Sequence, residues 1–95
     1  MNTDRIAELR GEIDALTTRL LELVAERQEV SVAIGTLKVE QGLPLYSEER
    51  ESELLQKFRT DAVRMGLDPD YIEELMRVVL EHSRAAQRKQ VGEGP

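Results

Sequence analysis

Arg27 and Lys38 are the cations whose surroundings ask for chemistry. Three and four positions from Arg27 stand Leu23, Val24, Val30 and Ser31; around Lys38 stand Ile34, Gly35, Gln41 and Gly42. No acid is among them, whereas Arg5 has Glu8 and Arg19 has Glu22 at helical spacing. Arg27 also falls on an apolar seam, Ile6, Leu9, Ile13, Leu16, Leu20 and Leu23, which resumes at Val30, Ile34 and Leu37. At about 100° per residue, Lys38 returns to within roughly 20° of the direction of Arg27, three turns further on. A charge on a seam is costly unless compensated, so this spacing calls for an anion from outside the helix. The residues alone leave two sources open: a small anionic ligand, or a glutamate of another chain.

Polar groups recur on the third apolar stripe, which continues into Ser83, Ala86 and Gln87. Helix ends often turn polar, so Gln87 by itself says little. Arg50 and Glu51 open another helix, where a cation opposes the helix dipole and a surface ion pair is the plain explanation. Other chemistry finds no support. His82, the one histidine, has no acid or cysteine at ligand spacing, so no metal site is expected. No Ser-His-Asp set and no glycine-rich phosphate loop can be assembled, and no cofactor is implied. The acids Glu48, Glu49 and Glu51 suit a solvated face.

Three helices must position these residues. The first is expected from about Asp4 to Gln41, with Asn2 or Thr3 as cap and Gly42, Leu43 and Pro44 as its stop. Ser47 caps a second, whose apolar face is Leu54, Leu55, Phe58 and Ala62 and whose end is Gly66. Asp68 and Pro69 open a third, reaching about Gln90, with Ile72, Leu75, Met76, Val79 and Leu80 as its stripe. The sequence predicts a single all-α domain over residues 1–95, with 91–95 a frayed tail. A helix of that first length spans roughly 57 Å, against about 32 Å for the diameter of a compact chain this size. Its stripe therefore asks for a second copy, and a homodimer with paired long helices is the economical assembly.

Composition narrows the classes further. Charged residues are 34%, aromatics 3%, and the net charge is −6, which disfavours nonspecific binding to nucleic acid. There is no cysteine, so no disulfide or thiolate chemistry, and a cytoplasmic setting is expected. No run is long and apolar enough for a membrane span, and no signal-peptide pattern opens the chain.

Arg10, Arg27, Lys38, Arg50-Glu51, Ser83 and Gln87, on three helices of this order and length, resemble the all-helical chorismate mutases. The likeness runs from about residue 5 to 90, with LRGEID and LLELVAER as local motifs. It implies an intertwined six-helix homodimer that rearranges chorismate to prephenate in aromatic amino-acid biosynthesis, without a cofactor. It implies that Arg27, Arg50 and Lys38 come from one chain and Arg10 from its partner. Arg10 and Arg27 would each hold a substrate carboxylate, with Arg50 lining the pocket and Ser83 helping to hold a carboxylate. Lys38 and Gln87 would donate to the ether oxygen, and Glu51 would accept from the ring hydroxyl. One departure stands out: the family usually has an aspartate where this chain has Ser47. Serine caps a helix equally well, but recognition of the ring substituent is put in question. Aminodeoxychorismate or isochorismate, with a mutase or lyase reaction, is the alternative, and a noncatalytic dimeric adaptor is a third. Docking onto another shikimate-pathway enzyme is left open.

Overall fold

The computed structural model describes residues 2–92. Its three helices are α1 (Asn2–Glu40), α2 (Glu48–Arg64) and α3 (Pro69–Gln90), so the chain is all-α with a long first helix, as the periodicity predicts. α1 begins two residues before the expected start, and Asn2 and Thr3, expected as caps, lie inside it. It stops one residue before the expected end, at Glu40. The stop is a Schellman motif: Leu43 N donates to Lys38 O at 2.7 Å and Gly42 N to Val39 O at 3.1 Å. Gly42 adopts φ +70°, a conformation that a side chain resists. Gly66, at φ +75°, closes α2 in the same way, with Leu67 N donating to Ala62 O at 2.8 Å.

Both expected caps are in place. Ser47 Oγ accepts from Arg50 N at 3.2 Å, and Asp68 Oδ1 accepts from Asp70 N at 2.9 Å with Pro69 in the first turn. The expected tail divides: Val91 and Gly92 form the turn that ends α3, and Glu93, Gly94 and Pro95 lie outside the described residues.

Contacts divide the chain between Val30 and Ser31, within α1. The first unit is helical throughout its described length. Its apolar stripe is exposed, with Ile13 and Leu16 at 62% and 59%. In the second unit, α2 and α3 pack antiparallel. Leu55, Ala62 and Leu80 are buried between them, and Leu54, Phe58, Ile72, Met76 and Val79 are half-buried. Leu75, expected on this core face, is exposed at 42%. Arg59 ties the far end of α2 to the start of α3, meeting Asp70 Oδ1 at 3.0 Å and Glu73 Oε1 at 3.2 Å. These part-exposed pairs are screened by solvent, so they set register more than they add stability.

Candidate functional site

Gln87 is the one buried polar residue among the described residues, 8% exposed near the end of α3. A buried amide must find partners. Its Nε2 donates to the Ser31 carbonyl oxygen at 2.7 Å and to Ser31 Oγ at 3.1 Å, both on α1. Gly35, one turn beyond Ser31, is buried against the same side chain. A β-carbon there would lie 2.8 Å from Gln87 Cγ, so only glycine admits this approach. Ser31, Gly35 and Lys38 stand at i, i+4 and i+7, on one face of α1. Lys38 is half-buried on that face in the last turn of the helix, where a cation suits the dipole. The polar end of α3 is thus a built feature and not a frayed one.

Ser83 lies one turn before Gln87 on α3, half-buried, and its Oγ donates to the Val79 carbonyl at 2.9 Å. Between them, Arg84 crosses to the start of α2. Its Nη1 donates to Glu51 Oε2, and its guanidinium lies 4.8 Å from the centre of the Tyr46 ring. The Glu51 hydrogen bond holds the Arg84 proton more tightly than usual, and the opposing cost of its burial is smaller. The plain expectation of an Arg50–Glu51 surface pair is therefore replaced: Glu51 pairs across helices with Arg84. Arg50 and Lys38 form no ion pair within the described residues.

This unit therefore carries Lys38, Gln87, Ser83, Glu51 and Arg84 on elements that meet, with Arg50 and Ser47 at the head of α2. Within this set Glu51 and Arg84 pair, which leaves Lys38 and Arg50 as the cations that could meet an anion. No group here is placed as a nucleophile beside a base, so the chemistry this arrangement supports is binding, orientation and hydrogen-bond donation. Among the described residues no group of three His, Cys, Asp or Glu could hold a metal ion. Among the described residues no helix is long and apolar enough to cross a membrane. An open depression on α2, lined by Glu49, Ser52, Glu53 and Gln56, is acidic and unsuited to an anion. Arg10 and Arg27 belong to the other unit, where Arg10 is exposed and Arg27 half-buried on α1.

Ser31, Gly35, Tyr46 and Arg84 are the residues that sequence reasoning passed over. Gly35 carried a signal, since glycine within a helix costs about 1 kcal/mol and implies a close approach. Arg84 carried none, because its partner lies 33 residues away.

Comparison with known proteins identifies the family. Residues 9–88 match the family described as chorismate mutase type II. The T-protein of Haemophilus influenzae is 36% identical over 86 residues, which cover 90% of this chain and 23% of that protein. The bifunctional chorismate mutase/prephenate dehydratase of Escherichia coli is 36% identical over 80 residues, covering 84% and 21%. The chorismate mutase of Methanocaldococcus jannaschii is 26% identical over 90 residues, covering 95% of this chain and 91% of that one. The chain thus spans under a quarter of the first two relatives and nearly the whole of the third. The matched span reaches into all three helices, and includes Arg10, Lys38, Glu51 and the buried Gln87: the chain belongs to the chorismate mutase type II family.

Proposed function

We propose that the chain is a chorismate mutase that rearranges chorismate to prephenate as an intertwined homodimer of six helices. The observation that carries the reading is Gln87, an amide buried against Ser31 and Gly35 on the α1 face that also bears Lys38. In this reaction one C–O bond breaks as a C–C bond forms within one molecule. No proton has to move and no covalent intermediate is needed, which suits a site without a nucleophile. Two effects remain for the protein to supply. Cations hold the flexible dianion in its compact reactive shape, an orientation effect. Fixed donors meet the negative charge that grows on the ether oxygen.

The roles proposed are those that the family resemblance implies. Arg27 and Arg10 of the partner subunit each hold a carboxylate, Arg50 lines the pocket and Ser83 assists. Lys38 and Gln87 donate to the ether oxygen. Both donors of Gln87 are engaged by Ser31, so it trades the longer contact, to Oγ, for the substrate. Glu51 accepts from the ring hydroxyl through Oε1, since Oε2 is held by Arg84. The dimer is supported by the exposed stripe of α1, and by a core of only three buried apolar residues among those described. A second copy covers such a stripe as a coiled coil does. A related reading, with aminodeoxychorismate or isochorismate as substrate, draws on Ser47. Its hydroxyl is committed to the α2 cap and carries no charge for the ring substituent.

Loss of chorismate absorbance with prephenate as product supports the mutase. Salicylate from isochorismate supports the lyase, and no turnover of either leaves the adaptor. Mixing Arg10→Ala and Arg27→Ala, each inactive alone, tests the shared site. Subunit exchange should restore one intact site per heterodimer, and absence of recovery places both arginines in one chain's site.

A further inference from the structure

Glu51 is an awkward group for a site that receives a dianion. It is a carboxylate, its side chain is only 21% exposed, and it stands next to Arg50 at the opening of α2. Left alone, it would repel the substrate and sample several rotamers. Arg84 removes both difficulties. Its guanidinium reaches from α3 to Glu51 Oε2, while its central carbon lies over the ring of Tyr46, just before the α2 cap. Arginine suits this double duty, since its edge donates while its face stacks; lysine has only a point charge to offer. The side chain of Arg84 is 27% exposed, so the pair is shielded from the full screening of water.

We propose that Arg84, braced by Tyr46, is the positioning residue of Glu51: it cancels the charge of that carboxylate and turns its free oxygen, Oε1, toward the substrate's ring hydroxyl. The inference rests on the proposed role of Glu51 in the mutase reaction. The role proposed for Arg84 is indirect. Its guanidinium is paired with Glu51 and lies over Tyr46, so its effect is transmitted through Glu51.

The test is a double-mutant cycle on chorismate turnover by the full chain. Arg84→Ala should raise KM about tenfold and change kcat less than about threefold, because the ring hydroxyl is held alike in ground and transition states. In a Glu51→Ala background, the same Arg84→Ala change should have almost no further effect on kcat/KM. Arg84→Lys should recover part of the loss by restoring the charge. Should Arg84→Ala unfold, Arg84→Gln set against Arg84→Lys gives the same comparison with size kept. Additive losses in the double variant, or an unchanged KM in Arg84→Ala, overturn the proposal while the mutase reading stands. A parent protein inactive on chorismate overturns both.

Discussion

Gln87 and Gly35 touch so closely that a single methyl group would not fit between them: an added β-carbon would lie 2.8 Å from Cγ and 3.0 Å from Cβ of the glutamine. An exposed helical glycine gains up to about 1 kcal/mol on conversion to alanine. Here the sign reverses. Of the obstructing atoms, Cβ is fixed to the α3 backbone, and Cγ yields only by turning χ1, which carries the amide away from Ser31. Gly35→Ala should therefore lose about 1–3 kcal/mol by overpacking, read as a lowered midpoint in urea unfolding. Activity should fall with it, because the displaced amide is the expected donor. A more stable Gly35→Ala protein would show that the two helices leave room for a methyl group.

Gln87→Glu tests the donor role directly. The replacement puts an oxygen where Nε2 meets the Ser31 carbonyl at 2.7 Å, so the ionised acid sets acceptor against acceptor. It also opposes the charge developing on the ether oxygen. Turnover at neutral pH should drop about 10²–10³-fold, the scale of a lost oxyanion donor. Protonation restores a donor, so activity should recover as pH falls, with burial raising the pH at which this occurs and Lys38 lowering it. The parent amide has no such acid-favouring limb. Full activity at neutral pH with an unchanged profile would remove Gln87 from the mechanism.

Ser47 separates structure from specificity. Its Oγ accepts from Arg50 N at 3.2 Å, so Ser47→Ala should cost about 0.5–2 kcal/mol of stability. Ser47→Asp keeps the cap and should fold as well as the parent. If position 47 also reads the ring substituent, the aspartate variant should change the preference between chorismate and its amino analogue. Equal preference in both proteins confines the residue to capping.

Asp61 predicts the acid response of α2. The hydrogen bond from Lys57 above all, at 2.7 Å, and then that from Arg64 at 3.1 Å, hold its carboxyl below the ordinary aspartate range. A lowered folded value means stabilisation that is present above the ordinary range and lost as pH falls through the lower value. Asp61→Asn should accordingly be less stable than the parent near neutrality, with the two melting temperatures converging at low pH. A constant gap across the acid range would assign the loss to packing.

What could be read in the sequence was what repeats or caps. The stripe of α1, the Ser47 and Asp68 caps and the Gly42 and Gly66 stops are local signals, and each element lies within two residues of expectation. Lys38 was legible because no acid stands at helical spacing from it, while Gln87, at a helix end, said little until the resemblance singled it out. Glu51 was legible as a candidate, but its environment was not. A glutamate beside an arginine reads as a local pair, while its partner Arg84 is set by how α2 meets α3, which no short spacing encodes. The burial of Gly35 likewise exists only once the α3 side chain arrives.

Arg59 with Glu73, and Arg84 with Glu51, are two rungs at opposite ends of one helical hairpin. Sliding α3 by a single turn, about 5.4 Å, would break both at once, so the charges fix which residues face each other more sharply than the small core does. Their mutational latitude is unequal. Exchanging the signs at the outer rung keeps the alignment only if Asp70 and Arg77, which pair with Arg59 and Glu73, change sign with them. The same exchange at the inner rung keeps the alignment too, yet replaces the acceptor beside Arg50 with another cation. One end of the hairpin can thus change polarity as a compensated set of four charges, while the other is tied to its present polarity by the proposed role of Glu51.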